Sequence, residues 1–345
     1  MNAILASSKR IKSQVRLFNP VFHVRVKKGR EPAVFPVTRR ARLWVDPALA
    51  AEAMSQGSGY ARIMTISVAD VHAQVNRLWP ESTAESWDRV GLVVGDPQAR
   101  VHHIHLALDA VLHTVNEAVE LDADLLLTHH PLLLRGVHTV ASSTAKGAVI
   151  TKLIAGDCAL IAAHTNADQP EAGVSDVLAQ AFGLQNSAPI LEGVDPQSGI
   201  GRVGELREPT TLRAFAEKVA SVLPATVSGV KVAGDPDQLV RRVALCGGSG
   251  DSLLSETAVT SADVYVTSDL RHHPASEARE QALVGGGPAL IDVPHWAAES
   301  FWLETAAQQL REAFPEVRVT VSQLNTDPWQ FAVAQNSQLA SSDKN

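Results

Sequence analysis

Three clusters of metal-competent side chains stand at the ends of three predicted strands. They are Thr128-His129-His130-Pro131, His164-Thr165-Asn166-Ala167-Asp168, and Asp292-Val293-Pro294-His295-Trp296-Ala297-Ala298-Glu299. Mixed imidazole and carboxylate ligation suits zinc, manganese, iron or cobalt better than calcium or magnesium. Adjacent His129 and His130 point different ways in extended backbone, so each can serve a different ion. Pro131 keeps His130 out of helical geometry. His295 and Glu299 lie four residues apart at a predicted helix start, and so on one helix face; His164 and Asp168 have the same offset. A carboxylate can bridge two ions roughly 3.5–4 Å apart, which is the two-metal hydrolytic arrangement. Glu299 is the expected bridge. A lone histidine at a strand end is ordinarily a hydrogen-bonded structural residue. Three such clusters at three strand ends tip the reading towards metal.

The elements that must carry these clusters alternate. Ile104–Leu108, Asp124–Thr128, Ala159–Ala163, Val243–Leu245, Val264–Thr267 and Ala289–Asp292 read as strands. Ala110–Leu121, Ala145–Ala155, Val174–Phe182 and Leu212–Leu223 read as helices. Near-continuous apolar strands separated by helices indicate a layered α/β fold with a largely parallel sheet covered on both faces. In open α/β sheets the carboxyl ends of the strands line the ligand crevice. The metal site is expected there, with all three clusters on one edge of one sheet.

Composition sets the bounds. The chain has 345 residues, of which 45% are apolar, enough for a full core. No stretch approaches the roughly 18 consecutive apolar residues of a membrane helix. Cys158 and Cys246 each sit in an apolar run, with no C-x-x-C partner, and read as buried thiols of a cytoplasmic protein. Residues 1–63 hold 12 Lys/Arg against 3 Asp/Glu, whereas the remainder holds 18 against 34. A body with a net charge of −16 is a poor polyanion binder, so nucleic acid is not an expected partner.

Residues 1–63 read as a basic extension, disordered or the product of an upstream start. Met64 opens Met-Thr-Ile-Ser-Val-Ala-Asp-Val-His, which looks like a natural beginning. A transit peptide and a basic arm with a partner are the other readings. Residues 64–334 form the α/β unit, with an internal boundary expected near 189–201, and 335–345 form a polar tail. Cys246-Gly247-Gly248-Ser249-Gly250 follows a strand. It reads as close strand-to-helix packing or as an anion-contacting turn, although the Walker lysine is missing. Asp269 and His273 follow another strand and are expected to line the cavity. His102, His103, His105 and His113 read as surface or packing residues. No G-x-S-x-G elbow occurs.

Taken together these motifs resemble the NIF-three-like dinuclear metal-centre proteins, also called GTP cyclohydrolase 1 type 2 homologs. The likeness covers about residues 65–333. It rests on Ser86-Trp87-Asp88-Arg89-Val90-Gly91-Leu92-Val93-Val94-Gly95, on the three clusters above, and on Ser268-Asp269-Leu270-Arg271-His272-His273. The resemblance implies two divalent ions per chain held by His129, His130, Asp168, His295 and Glu299. It puts His164 close to them, as the candidate for moving a proton. It implies a toroidal homohexamer with a small-molecule substrate, and its name suggests ring opening of GTP with loss of formate. A nucleotide phosphoester is a comparable substrate. A non-catalytic metal store, insertase or regulatory scaffold would use the same ligands. A ring encircling DNA would conflict with the acidic body. Two positions depart from the family pattern: Pro294 replaces a glycine before the late histidine, and Arg89 replaces an asparagine after Trp87-Asp88. The short span from Asp168 to Leu245 leaves no room for the large inserted domain that some members carry.

Overall fold

A computed structural model of the chain describes residues 65–333. The basic extension and the polar tail lie outside the described residues. Strands β1 (Gly91–Val94), β2 (His103–Ala107), β3 (Leu125–Thr128) and β4 (Ala159–Ala162) join the last strand, β13 (Arg318–Val321), in one sheet of order β1-β4-β3-β2-β13. β2, β3, β4 and β13 run parallel, and β1 is an antiparallel edge. The fully apolar sequences of β3 and β4 need cover on both faces, and they receive it. Helices Val68–Leu78 and Trp302–Ala313 pack on one face, and Leu112–Glu120 and Ala145–Ala155 on the other. Ser67 caps the first helix in a reciprocal capping box with Asp70.

A second sheet is built from β5 (Leu184–Ala188), β8 (Arg202–Thr211), β9 (Lys231–Ala233), β10 (Leu239–Ser249), β11 (Val264–Ser268) and β12 (Ala289–Val293), in the order β5-β8-β10-β11-β12-β9. Its centre, β10-β11-β12, is parallel and its flanks are antiparallel. A small hairpin, β6 (Leu191–Glu192) with β7 (Gly199–Ile200), stands apart. The layered α/β architecture with parallel sheet centres is as expected, but the single sheet is corrected to two. The antiparallel strands escaped the sequence reading because they are short or polar: β9 is three residues, and β5 is Leu-Gln-Asn-Ser-Ala.

Helix Val174–Phe182 packs between the halves: Val174 belongs to the first sheet's core, Leu178 and Phe182 to the second's. Trp296 touches both cores. Cys158 and Cys246 are free and buried, and burial pushes each thiol up to about 12. No helix among the described residues is long and apolar enough to cross a membrane.

Candidate metal centre

β3 ends at Thr128 and delivers His129 and His130 into the joint between the sheets. The extended geometry persists one step past the strand, because the His130 amide donates to the Leu108 carbonyl (2.9 Å) and the Ala163 amide to that of Thr128 (2.9 Å). β4 runs into His164 and a single helical turn, Thr165–Asp168. Asp88 fixes that turn: its carboxylate accepts from the Thr165 amide (3.0 Å) and hydroxyl (2.5 Å). From the second sheet, β12 leads through Pro294 into helix His295–Ser300, which carries His295 and Glu299 on one face. The site is thus assembled from both sheets, which corrects the expectation of one sheet edge. Pro294 sits comfortably at φ −61°, so its substitution for glycine leaves the helix start intact. Arg89 turns its guanidinium to the backbone carbonyls of Ser86 and Asp88.

All six residues singled out by sequence converge. The His130 Nε2 lies 2.8 Å from Glu299 Oε2 and 3.3 Å from His295 Nε2, and His295 Nε2 lies 3.0 Å from the same Glu299 oxygen. The His129 Nε2 lies 3.6 Å from Asp168 Oδ1 and 3.7 Å from Glu299 Oε1. Glu299 therefore offers one oxygen to each adjacent histidine. Ligand-competent atoms of His129, His130 and His164 fall within 4.8 Å of one another, and so do those of His130, His295 and Glu299. His164 thus stands beside the other two histidines, within reach of a group held between them.

Every one of the four histidines has its Nδ1 facing an acceptor. His129 donates to the Ala163 carbonyl (2.9 Å), His130 to Asp109 (2.7 Å), His164 to Asp88 (3.0 Å) and His295 to Asp269 (2.8 Å). This sets each Nδ1 on an acceptor and turns each Nε2 towards the centre, as in metal-ligating histidines. The fit to metal shows in buried atoms that lack a protein hydrogen bond: His129 Nε2 and Asp168 Oδ1. Such atoms are costly unless something else satisfies them, and a divalent cation suits two carboxylates and several imidazole nitrogens. Asp88 and Asp109 were given no role by sequence. Asp109 follows β2 by two residues, so the strand-end signal was available for it.

Charge follows the geometry. Burial pulls His129 down to about 4 against the attraction of Glu299. Burial also opposes charge on His130 and His295, but Glu299 and the aspartate behind each ring outweigh it, raising them to about 10 and about 11. Glu299, which burial alone would neutralise, is held well below its usual range by these imidazoles. Burial and the neighbouring Glu299 charge push Asp168 well up. Gly248, in the glycine-rich end of β10, explains how Glu299 fits: a Cβ there would stand 2.3 Å from Glu299 Oε1. Close packing is thus the work of that glycine. Of the remaining candidates, Asp269 lines the cavity beside His295, while His273 is the second residue of helix His272–Gly285 and is not in its lining. His103 and His105 are buried and share the Thr320 hydroxyl (2.7 and 2.8 Å).

A two-sheet α/β protein with a histidine–carboxylate cluster able to hold metal is the class that fold and site define. The family model Duf34/NIF3 (NGG1p interacting factor 3) matches residues 66–328, and the chain belongs to that family. A Streptomyces coelicolor relative called GTP cyclohydrolase 1 type 2 homolog is 49% identical over 274 residues, covering 77% of this chain and 95% of that protein. A Mycobacterium leprae relative of the same name is 35% identical, covering 81% of this chain and all of that one. Among solved structures, a Staphylococcus aureus hypothetical protein superposes with a TM-score of 0.70 at 31% identity, covering 78% of this chain and 100% of that one. A Bacillus cereus protein related to NIF3 gives 0.71 at 25% identity, with the same coverage.

Proposed function

We propose that the chain is a dinuclear metal-dependent hydrolase acting on a nucleotide or a related small molecule. The observation that carries it is the convergence of imidazole Nε2 atoms with the Glu299 and Asp168 carboxylates, His129 Nε2 and Asp168 Oδ1 among them buried without a partner, beside a cavity of about 570 Å³ lined in part by His130 and His295. A centre that keeps an open side suits catalysis, whereas closed coordination suits structure. In this reading His129 and Asp168 serve one ion, His130 and His295 the other, and Glu299 both. Divalent ions so held would supply Lewis acidity and an activated water. Asp88, Asp109 and Asp269 orient the rings behind them. His164, anchored by Asp88 and next to His129, moves the proton. The family resemblance supports two ions per chain and a toroidal homohexamer, and the two free buried cysteines support a cytoplasmic location.

The test is turnover of a nucleotide panel by the full chain loaded in turn with zinc, manganese, iron or cobalt, with metal content measured in parallel. Metal-dependent turnover with close to two equivalents bound is expected. Two tightly held equivalents with no turnover under any metal would favour the non-catalytic scaffold, and no bound metal after reconstitution would end both readings.

A further inference from the structure

Among the described residues lining the cavity beside His130 and His295, Lys231 is the single Lys or Arg. Edge strand β9 pairs antiparallel with β12 and sets Lys231 directly opposite Asp292, three residues before His295. The two side chains form an ion pair, which holds the ammonium beside Asp292 while 68% of the Lys231 side chain stays exposed. Its charge also reaches Asp269, the partner of His295. Trp329, which also lines the cavity, is 66% exposed. Two residues before it, Asp327 brings a carboxylate to the same lining. An exposed tryptophan face suits a flat ring, and a carboxylate accepts from an N–H donor.

We infer that this cavity takes a phosphoester of a nitrogen heterocycle. The phosphoryl group lies at Lys231 beside His295, and the heterocycle lies against Trp329 with an N–H on Asp327. The inference rests on the hydrolase reading and narrows it, because it puts phosphorus rather than a ring carbon next to the metal-holding side chains. In the step that follows, the oxygen of water bonds to phosphorus and the P–O ester bond breaks. The bonding pair leaves with the alcohol oxygen, which takes one proton of the water; the other proton stays with phosphate. No oxidant or reductant is needed.

The experiment uses the full chain loaded with manganese and four probes: guanosine 5′-monophosphate, GTP, para-nitrophenyl phosphate and inorganic phosphate. Phosphate release without formate is expected from the nucleotide. Lys231→Gln should raise KM for both esters about tenfold, the worth of one charge-assisted hydrogen bond, with metal content unchanged, and Lys231→Arg should recover part of the loss. Trp329→Ala and Asp327→Asn should raise KM for the nucleotide and leave that for para-nitrophenyl phosphate in place. Formate release from GTP with its phosphates intact, or a Lys231→Gln enzyme with unaltered KM, overturns the inference. If no ester is turned over, calorimetry with inorganic phosphate separates the two ideas. Binding that Lys231→Gln weakens about tenfold upholds the anion site while the hydrolase reading fails. Absence of phosphate and nucleotide binding overturns the anion site and leaves hydrolysis of other substrates to the panel above.

Discussion

Gly248→Ala should disarm the centre through a single methyl group. Gly248 has φ +70°, and its Cβ would meet Glu299 Oε1 at 2.3 Å, where ordinary contact begins at 3.4 Å. The carboxylate must therefore retreat by about 1 Å, a displacement judged from normal van der Waals spacing. Glu299 Oε2 now stands 2.8 Å from His130 Nε2 and 3.0 Å from His295 Nε2, so such a shift takes both contacts out of bonding range. Left-handed backbone adds about 1–2 kcal/mol of strain in a residue with a Cβ. For a chain of this size that is a fall of about 1–3 °C in melting temperature. Because Glu299 faces His129 as well, affinity should drop about 10–100-fold at both ions together, comparable to losing an orienting partner. Chelator-competition titration with zinc measures the affinities, and thermal melts of metal-free protein measure the strain. Gly229→Ala is the control: φ is +61° there with nothing within 4 Å, so it carries similar strain without touching Glu299. If Gly248→Ala binds both equivalents as tightly as Gly229→Ala, the packing argument is refuted.

Metal loading should release protons. With His130 and His295 raised to about 10 and about 11, each gives up a proton when its Nε2 takes a metal near neutral pH; calorimetry in buffers of different ionisation enthalpy reads this, and a buffer-independent heat would contradict it. The same shifts set the pH response of the metal-free chain. Folded values above the ordinary 6.5 mean stabilisation that is complete below 6.5 and lost as pH rises through about 10–11, so denaturant midpoints should fall across that window. His164→Ala is expected to keep most of the metal yet lower any hydrolytic rate, whereas Glu299→Ala empties both positions; equal loss of metal in the two variants would make His164 a ligand.

The cluster was legible because its residues announce themselves by type and offset. A histidine pair before proline and two i,i+4 pairs at strand ends have few structural explanations. What escaped was long-range. Nothing in Asp292–Glu299 says that its strand lies in a different sheet from Thr128–His130, since strand ends look alike wherever they pair. Asp88 and Asp109 escaped because their work depends on which histidine they meet across the fold: Asp88 is 76 residues from His164, and Asp109 is 21 from His130. The glycine-rich end of β10 was visible, but whether it approached an anion or a side chain depended on Glu299 arriving from another helix.

The two-sheet origin of the site makes its geometry depend on the joint between the halves, and the chain ties that joint just beyond Asp168. Arg202, on β8 of the second sheet, is only 2% exposed. Its guanidinium donates to the carbonyls of Gln169 (3.1 Å) and Pro170 (3.0 Å), directly after Asp168, and to those of Gly199 (2.8 Å) and Gly201 (2.7 Å). Asp176 supplies the countercharge at 3.4 Å. A buried guanidinium is tolerated only when nearly all its donors are used, so this one holds the Asp168 turn in a single place. The Gly247 amide adds a second tie, donating to the Ser175 hydroxyl at 3.1 Å. These bonds tie the segment after Asp168 to β8 and helix Val174–Phe182 to β10, whose next glycine, Gly248, backs Glu299. Across the apolar contacts of the joint, these polar bonds add direction to the spacing between Asp168 and Glu299, because apolar packing alone tolerates sliding. Directional hydrogen bonds are the better instrument where two carboxylates from different sheets must face the same histidine.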